Sequence, residues 1–315
     1  MTDQQIKLTF RGGGWVLVMT GIVLVAIVSW AVAPAIFRLS HMPPGDNQTI
    51  ESYEFDLSNL QIDRELVVPS MRHRNMSPVV TDPLILTPEE IAQRNSSKRD
   101  PLVVSKDLVV GVEIDGESRA YPLHFLHVHE IVNDTLNGIP ISIIWHWPSG
   151  HLAVFERDQT ANFANSGLAG NGGMLFYTLQ ETDGGEQLYA SMLGQSVTGS
   201  NDQLTSIPHD LTSWKQWLEE HPNTTSLGPD KQLKKRYRKA SPELYFRTEK
   251  IYFPTAPMPA DEINPKTPVI VVHSEGQDLV YSIPALVHAK NAAGQYVDQE
   301  NELAFLVQEN PRWAS

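Results

Sequence analysis

The sequence predicts a mainly β fold: a duplicated, hairpin-rich domain with few short helices, preceded by one N-terminal transmembrane helix. Three observations point there. The 315 residues include 22 Pro and 20 Gly, which punctuate a chain too often for long helices. Short alternating apolar runs recur around Asp-Gly and Asn-Gly dipeptides, the turn signals of β-hairpins. One long stretch near the N-terminus carries no charge. A hydrophobic content of 41% with 19% charged residues describes a folded chain with a sizeable core, and the length suits one large domain or two modest ones.

The stretch Trp15 to Phe37 is long enough at about 1.5 Å per residue to cross a hydrocarbon core of about 30 Å. Core helices seldom run so far without a polar face. The rival is a cleaved signal peptide, since Ala31-Val32-Ala33 imitates a cleavage site. The length of the apolar run and Pro34 directly after the cut speak for an uncleaved anchor. Lys7 and Arg11 precede the span, whereas Asp46, Glu51, Glu54 and Asp56 follow it, so the positive-inside rule puts the N-terminus in the cytoplasm and the rest in the periplasm or outside the cell. Residues 1–40 are thus read as a cytoplasmic tip and anchor that holds the chain to membrane lipid. The net charge of −13 repels a phosphate backbone and excludes a general nucleic-acid binder. The absence of cysteine removes disulfides, thiolate nucleophiles and cysteine metal sites.

Residues 41–100, rich in Pro, Asp, Asn and Ser, read as an extended tether with lead-in strands. A helix start is marked by Thr87-Pro88-Glu89-Glu90, with Thr87 as cap and Pro88 at the first helical position. Residues 101–230 read as the main β domain, with hairpins turning at Asp115-Gly116, Asn137-Gly138 and Asp183-Gly184-Gly185. Its clearest helix is WKQWLEE, capped by Ser213 and stopped before Pro222. Residues 231–262 form a linker whose first part holds six bases between Lys231 and Lys239, either a solvated face or a contact for anionic headgroups or an acidic partner. Residues 263–315 read as a truncated second repeat completing the core. At an offset of 160, VIVVHSEGQDLVYSIPAL (269–286) matches VVGVEIDGESRAYPLHFL (109–126), aligning Tyr121 with Tyr281 and Gly116 with Gly276.

Five of the eleven histidines lie within 28 residues: His124, His127, His129, His146 and His151. Neutral imidazole is a common ligand of zinc and copper. A strand over 127–134 would put His127 and His129 on one face and Glu130 on the other. A hairpin closed by two residues at Asn137-Gly138 would set His146 opposite His129, and a four-residue loop would set it opposite His127. Either register makes His127, His129 and His146 a candidate zinc or copper site, with His151 as a further ligand. The plainer reading makes His129 a buried hydrogen-bonding residue and the others surface imidazoles. Other catalytic signals are thin: Ser149-Gly150-His151 lacks the G-x-S-x-G elbow, and Gly170-Asn171-Gly172-Gly173 follows no strand-to-helix unit that would cradle a phosphate.

At AYPLHFLHVHEIVNDTLNGIPISIIWHWPSGHLAVFER, and again at NSGLAGNGGMLFY, LTSWKQWLEEHPNT and RYRKASPELYF, the chain resembles a prokaryotic family known as domain of unknown function 3179. The resemblance runs from about residue 75 to the C-terminus. Members of that family usually show Trp-His-Glu-Ile-Val-Asn-Asp followed by Cys-Pro-x-Cys-Gly, some with selenocysteine, which implies redox or soft-metal chemistry. His129 and Glu130 stand at the family's His-Glu, whereas His146 and Ser149 stand at the two cysteine positions, so thiol redox chemistry is closed to this chain. Two readings of function follow: an exported, membrane-anchored domain of unassigned activity binding zinc or copper, or a catalytically silent accessory subunit of a membrane protein complex.

Overall fold

Asn137 and Gly138 both hold positive φ, 47° and 76°, in the computed structural model. They join the strands Ile131–Leu136 and Ile139–His146, with Leu136 opposite Ile139. Positive φ at both central residues is the type I′ geometry, whose twist matches the strands it connects. Asp115 and Gly116, at 47° and 85°, do the same between Leu108–Ile114 and Glu117–Pro122. The third expected hairpin is formed by Gly173–Leu179 and Leu188–Ala190, and its turn residues 183–185 lie outside the described residues. The structure describes residues 14–40, 43–96, 101–179, 186–199, 202–238, 242–258, 264–274 and 276–306.

The chain divides into two units, Met1–Pro44 and Gly45–Ser315. The first contains the helix Gly14–Ser40, of which Gly14–Pro34 is long and apolar enough to cross a membrane, with a mean hydropathy of 2.6. The second unit is mainly β. Its central sheet runs Val80–Thr81, Ile131–Leu136, Ile139–His146, His151–Glu156. On one face of that sheet Val132, Ile141, Ile143, Trp145 and Val154 share a core with Val109, Val112, Ala120 and Trp217. On the other, Ile131, Ile144, Ala153 and Phe155 meet Phe163, Met174, Phe176 and Tyr189. A sheet covered on both faces needs apolar side chains on both, which is why Ile139–His146 reads as a nearly continuous apolar run rather than an alternation.

The sheet built on the first hairpin has the order Asp210–Ser213, Leu108–Ile114, Glu117–Pro122, Thr225–Leu227, Ile85–Leu86. Gly111 lets the Trp217 indole lie directly on this sheet, since a Cβ there would come within 2.3 Å of the ring. The remaining large sheet has the order Val67–Pro69, Asn162–Gly170, Gly173–Leu179, Leu188–Ala190, Gln195–Ser196. Residues 67–86 thus supply one short strand to each of these three sheets. Tyr53, ahead of them, is fully buried against Val67, Leu168 and Leu175.

Both helix starts follow the sequence signals. In Pro88–Asn95 the Thr87 hydroxyl accepts from Glu90 N at 3.3 Å while the Glu90 carboxylate accepts from Thr87 N at 2.9 Å, a reciprocal cap. Ser213 accepts from Gln216 N at 3.3 Å at the head of Trp214–Glu220.

Further along, the hairpin Val269–Ser274/Gln277–Ser282 runs into the helix Ile283–Ala289, the same succession as Leu108–Ile114/Glu117–Pro122 and Leu123–His129. Ile270 pairs with Tyr281 as Val110 pairs with Tyr121. The phenol of Tyr121 donates to Asp134 at 2.7 Å, and that of Tyr281 to Asp298 at 2.6 Å.

Candidate functional site

The strand expected over residues 127–134 begins only at Ile131, because Leu123–His129 is a helix. Apolar spacing explains the difference. Leu123 and Leu126, and Phe125 with Val128, recur at the three-residue interval that covers one side of a helix, and all four are buried. The hairpin does close with two residues, but its ladder stops at Ile131 opposite Ile144. His127 and His129 therefore do not stand on a common strand face with His146.

Glu130 is the joint between helix and sheet. Its N–H donates to Leu126 O at 2.8 Å, closing the helix, and its carbonyl accepts from Trp145 N at 2.7 Å, opening the strand pair. The turn needs φ 59° and ψ −34°, a conformation that costs a non-glycine residue on the order of 1–3 kcal/mol. Its side chain is 2% exposed. The carboxylate accepts from Ser77 Oγ at 2.8 Å and from Asn165 Nδ2 at 2.7 Å. Burial pushes this carboxyl up to about 7, against the pull of those donors and of the Arg236 charge.

His129 is equally committed. Its Nδ1 lies 2.6 Å from Pro78 O and its Nε2 2.7 Å from the Tyr237 hydroxyl. A carbonyl only accepts, so Nδ1 carries the proton and Nε2 accepts from Tyr237, whose oxygen in turn accepts from Asp230 N at 3.1 Å. Burial lowers the imidazole's pKa and keeps it neutral. We expect Tyr237→Phe to destabilise the protein by about 1–3 kcal/mol, because it strips a donor from a buried acceptor, as urea unfolding would show.

His146 lies on the central sheet with its ring stacked near Phe253, at 6.1 Å between centroids. Its Nδ1 is 2.7 Å from Ser149 Oγ. A serine beside an imidazole invites a nucleophile–base reading, but burial, with His151 adding to it, pushes this ring down to about 3. A base so weak cannot hold the serine proton near neutral pH. His151 pairs directly with His146 across the hairpin. Burial pushes it down to about 4, with His209 adding a smaller effect, and its Nδ1 is buried without a hydrogen-bond partner. His127 Nδ1 accepts from the Trp145 indole at 2.9 Å.

The structure does not bring His127, His129 and His146 together as one group. One nitrogen of His127 and one of His146, and both of His129, are engaged by protein partners. Among the described residues no three His, Asp or Glu side chains gather in a way that would hold an ion. The pair His146 and His151 is different, since one of its buried nitrogens is orphaned. Spacing alone did not find Ser77, Asn165 or Tyr237, although Asn165 and Tyr237 stand in the segments NSGLAGNGGMLFY and RYRKASPELYF.

No match was found among curated proteins or among solved structures. The family model described as protein of unknown function (DUF3179) matches residues 83–312, which include the helix, the Glu130 joint and the His146–His151 hairpin. The chain belongs to that family.

Proposed function

We propose that the chain is a single-pass membrane-anchored domain, with its N-terminus in the cytoplasm and its β unit in the periplasm or outside the cell, that acts as a catalytically silent accessory subunit of a membrane protein complex. The observation that carries this reading is the use of the His-Glu pair. Both ring nitrogens of His129 and two donors to Glu130 are consumed in joining the helix to segments near residues 77, 165 and 237. Such a network fixes a fold, and with Glu130 2% and His129 3% exposed it holds both groups away from a substrate. The unit at 269–289 supports the same reading. We take it as a partial copy of 109–129, in which the positions of His129 and Glu130 are filled by Ala289 and Lys290. The copy keeps the hairpin and the helix and loses the polar joint.

A second reading rests on the orphaned Nδ1 of His151 facing His146. Two neutral imidazoles across a hairpin would hold one zinc or copper ion, with the remaining positions supplied from elsewhere. Mild solubilisation separates the two readings. The accessory subunit should migrate in an assembly larger than 35.2 kDa and carry no stoichiometric zinc or copper. A monomer with one equivalent of metal, lost in both His146→Ala and His151→Ala, would replace it with the metal reading.

A further inference from the structure

Residues 231–253 run against the charge of the rest of the chain, with eight Lys or Arg and only two Glu in a protein of net charge −13. Lys231, Lys234, Lys235, Arg236 and Arg238 are all exposed, while Tyr237 among them is buried. Through its bonds to His129 and to Asp230 N, Tyr237 fastens this basic turn to the domain. The bases are therefore held out as a surface rather than carried on a loose linker.

The short helix Glu243–Phe246 follows. It exposes Leu244 at 76% and Phe246 at 37%, and Tyr252 beyond it is 52% exposed, with Arg247 and Lys250 interleaved. Bases alternating with exposed aliphatic and aromatic groups are suited to the headgroup layer of a bilayer, where the cations meet phosphates and the apolar groups sink toward the acyl boundary. The tether favours the same occupant. In the sequence only ten residues, 35–44, lie between the apolar stretch Gly14–Pro34 and the second unit.

We propose that residues 231–238 and 242–253 form a second membrane contact, laid against anionic phospholipid headgroups of the bilayer that residues 14–34 span. This inference rests on the membrane-anchored reading above. Because the chain has no cysteine, Leu244→Cys provides a unique position for an environment-sensitive fluorophore on the full-length protein. The labelled chain is placed in nanodiscs of phosphatidylcholine alone or mixed with phosphatidylglycerol. The contact predicts blue-shifted emission and about threefold or greater protection from an aqueous quencher in the anionic discs. Both effects should fall back at high salt, and in Lys231→Glu/Lys235→Glu/Lys250→Glu. Should that triple variant misfold, the salt series on the unreversed chain still decides. Equal emission in the two discs, from protein that has inserted, overturns the proposal while leaving the anchor intact. Protection seen only in native membranes assigns the surface to an acidic protein and likewise overturns it. Failure to insert into either disc removes the anchor and this contact together.

Discussion

Asp134→Ala should cost the fold about 3–5 kcal/mol, the largest single loss expected from the chain, because it abandons a buried cation. Arg119 and Asp134 are 8% and 6% exposed, and Arg119 Nη1 donates to the Asp134 carboxylate at 2.8 Å. The same oxygen accepts from the Tyr121 phenol at 2.7 Å. Arg119 also donates to Thr225 Oγ1 at 3.1 Å and Thr135 O at 3.0 Å, which tie two sheets together but bring no negative charge. Glu117, at 2.9 Å, does bring one, yet it is 41% exposed and water screens it. Tyr121→Phe removes one hydrogen bond to the carboxylate but keeps the ion pair, and should cost about 1.5–3 kcal/mol. Urea unfolding of the two variants measures the contrast. An Asp134→Ala loss no larger than that of Tyr121→Phe would show that Glu117 or solvent neutralises the arginine.

The second large effect is on acid stability. His146 and His151 are held near 3 and 4 in the fold against 6.5 for a free imidazole. The unfolded chain therefore takes up protons first, and the stability these two rings supply is whole above pH 6.5 and lost as the pH falls through their folded values. Glu130 runs the other way. Its folded value of about 7 exceeds the ordinary 4.5, so its contribution is whole below pH 4.5 and lost as the pH rises toward 7. Between pH 4.5 and 6.5 the unfolded state thus carries two extra protons on the histidines and the folded state one on the glutamate. The three groups together make stability rise with pH by about 1.4 kcal/mol per unit in that window. Removing one imidazole in His151→Asn should flatten this share of the slope, and Glu130→Gln should roughly double it. Unfolding free energies at several pH values, compared between variants, read the difference. Parallel slopes in all three proteins would mean that these side chains are better solvated than their burial implies.

The parts of this fold legible in the sequence are those encoded locally. Asp115-Gly116 and Asn137-Gly138 specify their hairpins because few other residue pairs accept positive φ twice in succession. Thr87 and Ser213 specify helix starts for a similarly short-range reason. The segment from Leu123 to His129 was misleading because its residues satisfy two periods at once. Leu126, Val128, Glu130 and Val132 alternate as a strand would, whereas Leu123 with Leu126 and Phe125 with Val128 repeat as a helix does. The tertiary structure chose the helix, and the left-handed turn at Glu130 reconciles the two halves. The site around Glu130 was hidden for a different reason. Its partners Ser77 and Asn165 lie 53 and 35 residues away, and the Tyr237 that holds His129 lies 108 residues away. Nothing in a single sequence announces such meetings.

Those three short strands of residues 67–86 have a consequence for how the chain is made. Val67–Pro69 finds its partner at Leu168–Gly170, Val80–Thr81 at Val132–Asn133, and Ile85–Leu86 at Ser226–Leu227. A polypeptide leaving the ribosome N-terminus first therefore presents these backbone groups early and satisfies them late. Long-range pairing of this kind folds slowly and exposes edges that stick to other chains. The nascent domain is most vulnerable to aggregation and proteolysis before residue 227 emerges, the interval in which a chaperone guarding residues 67–86 would matter most.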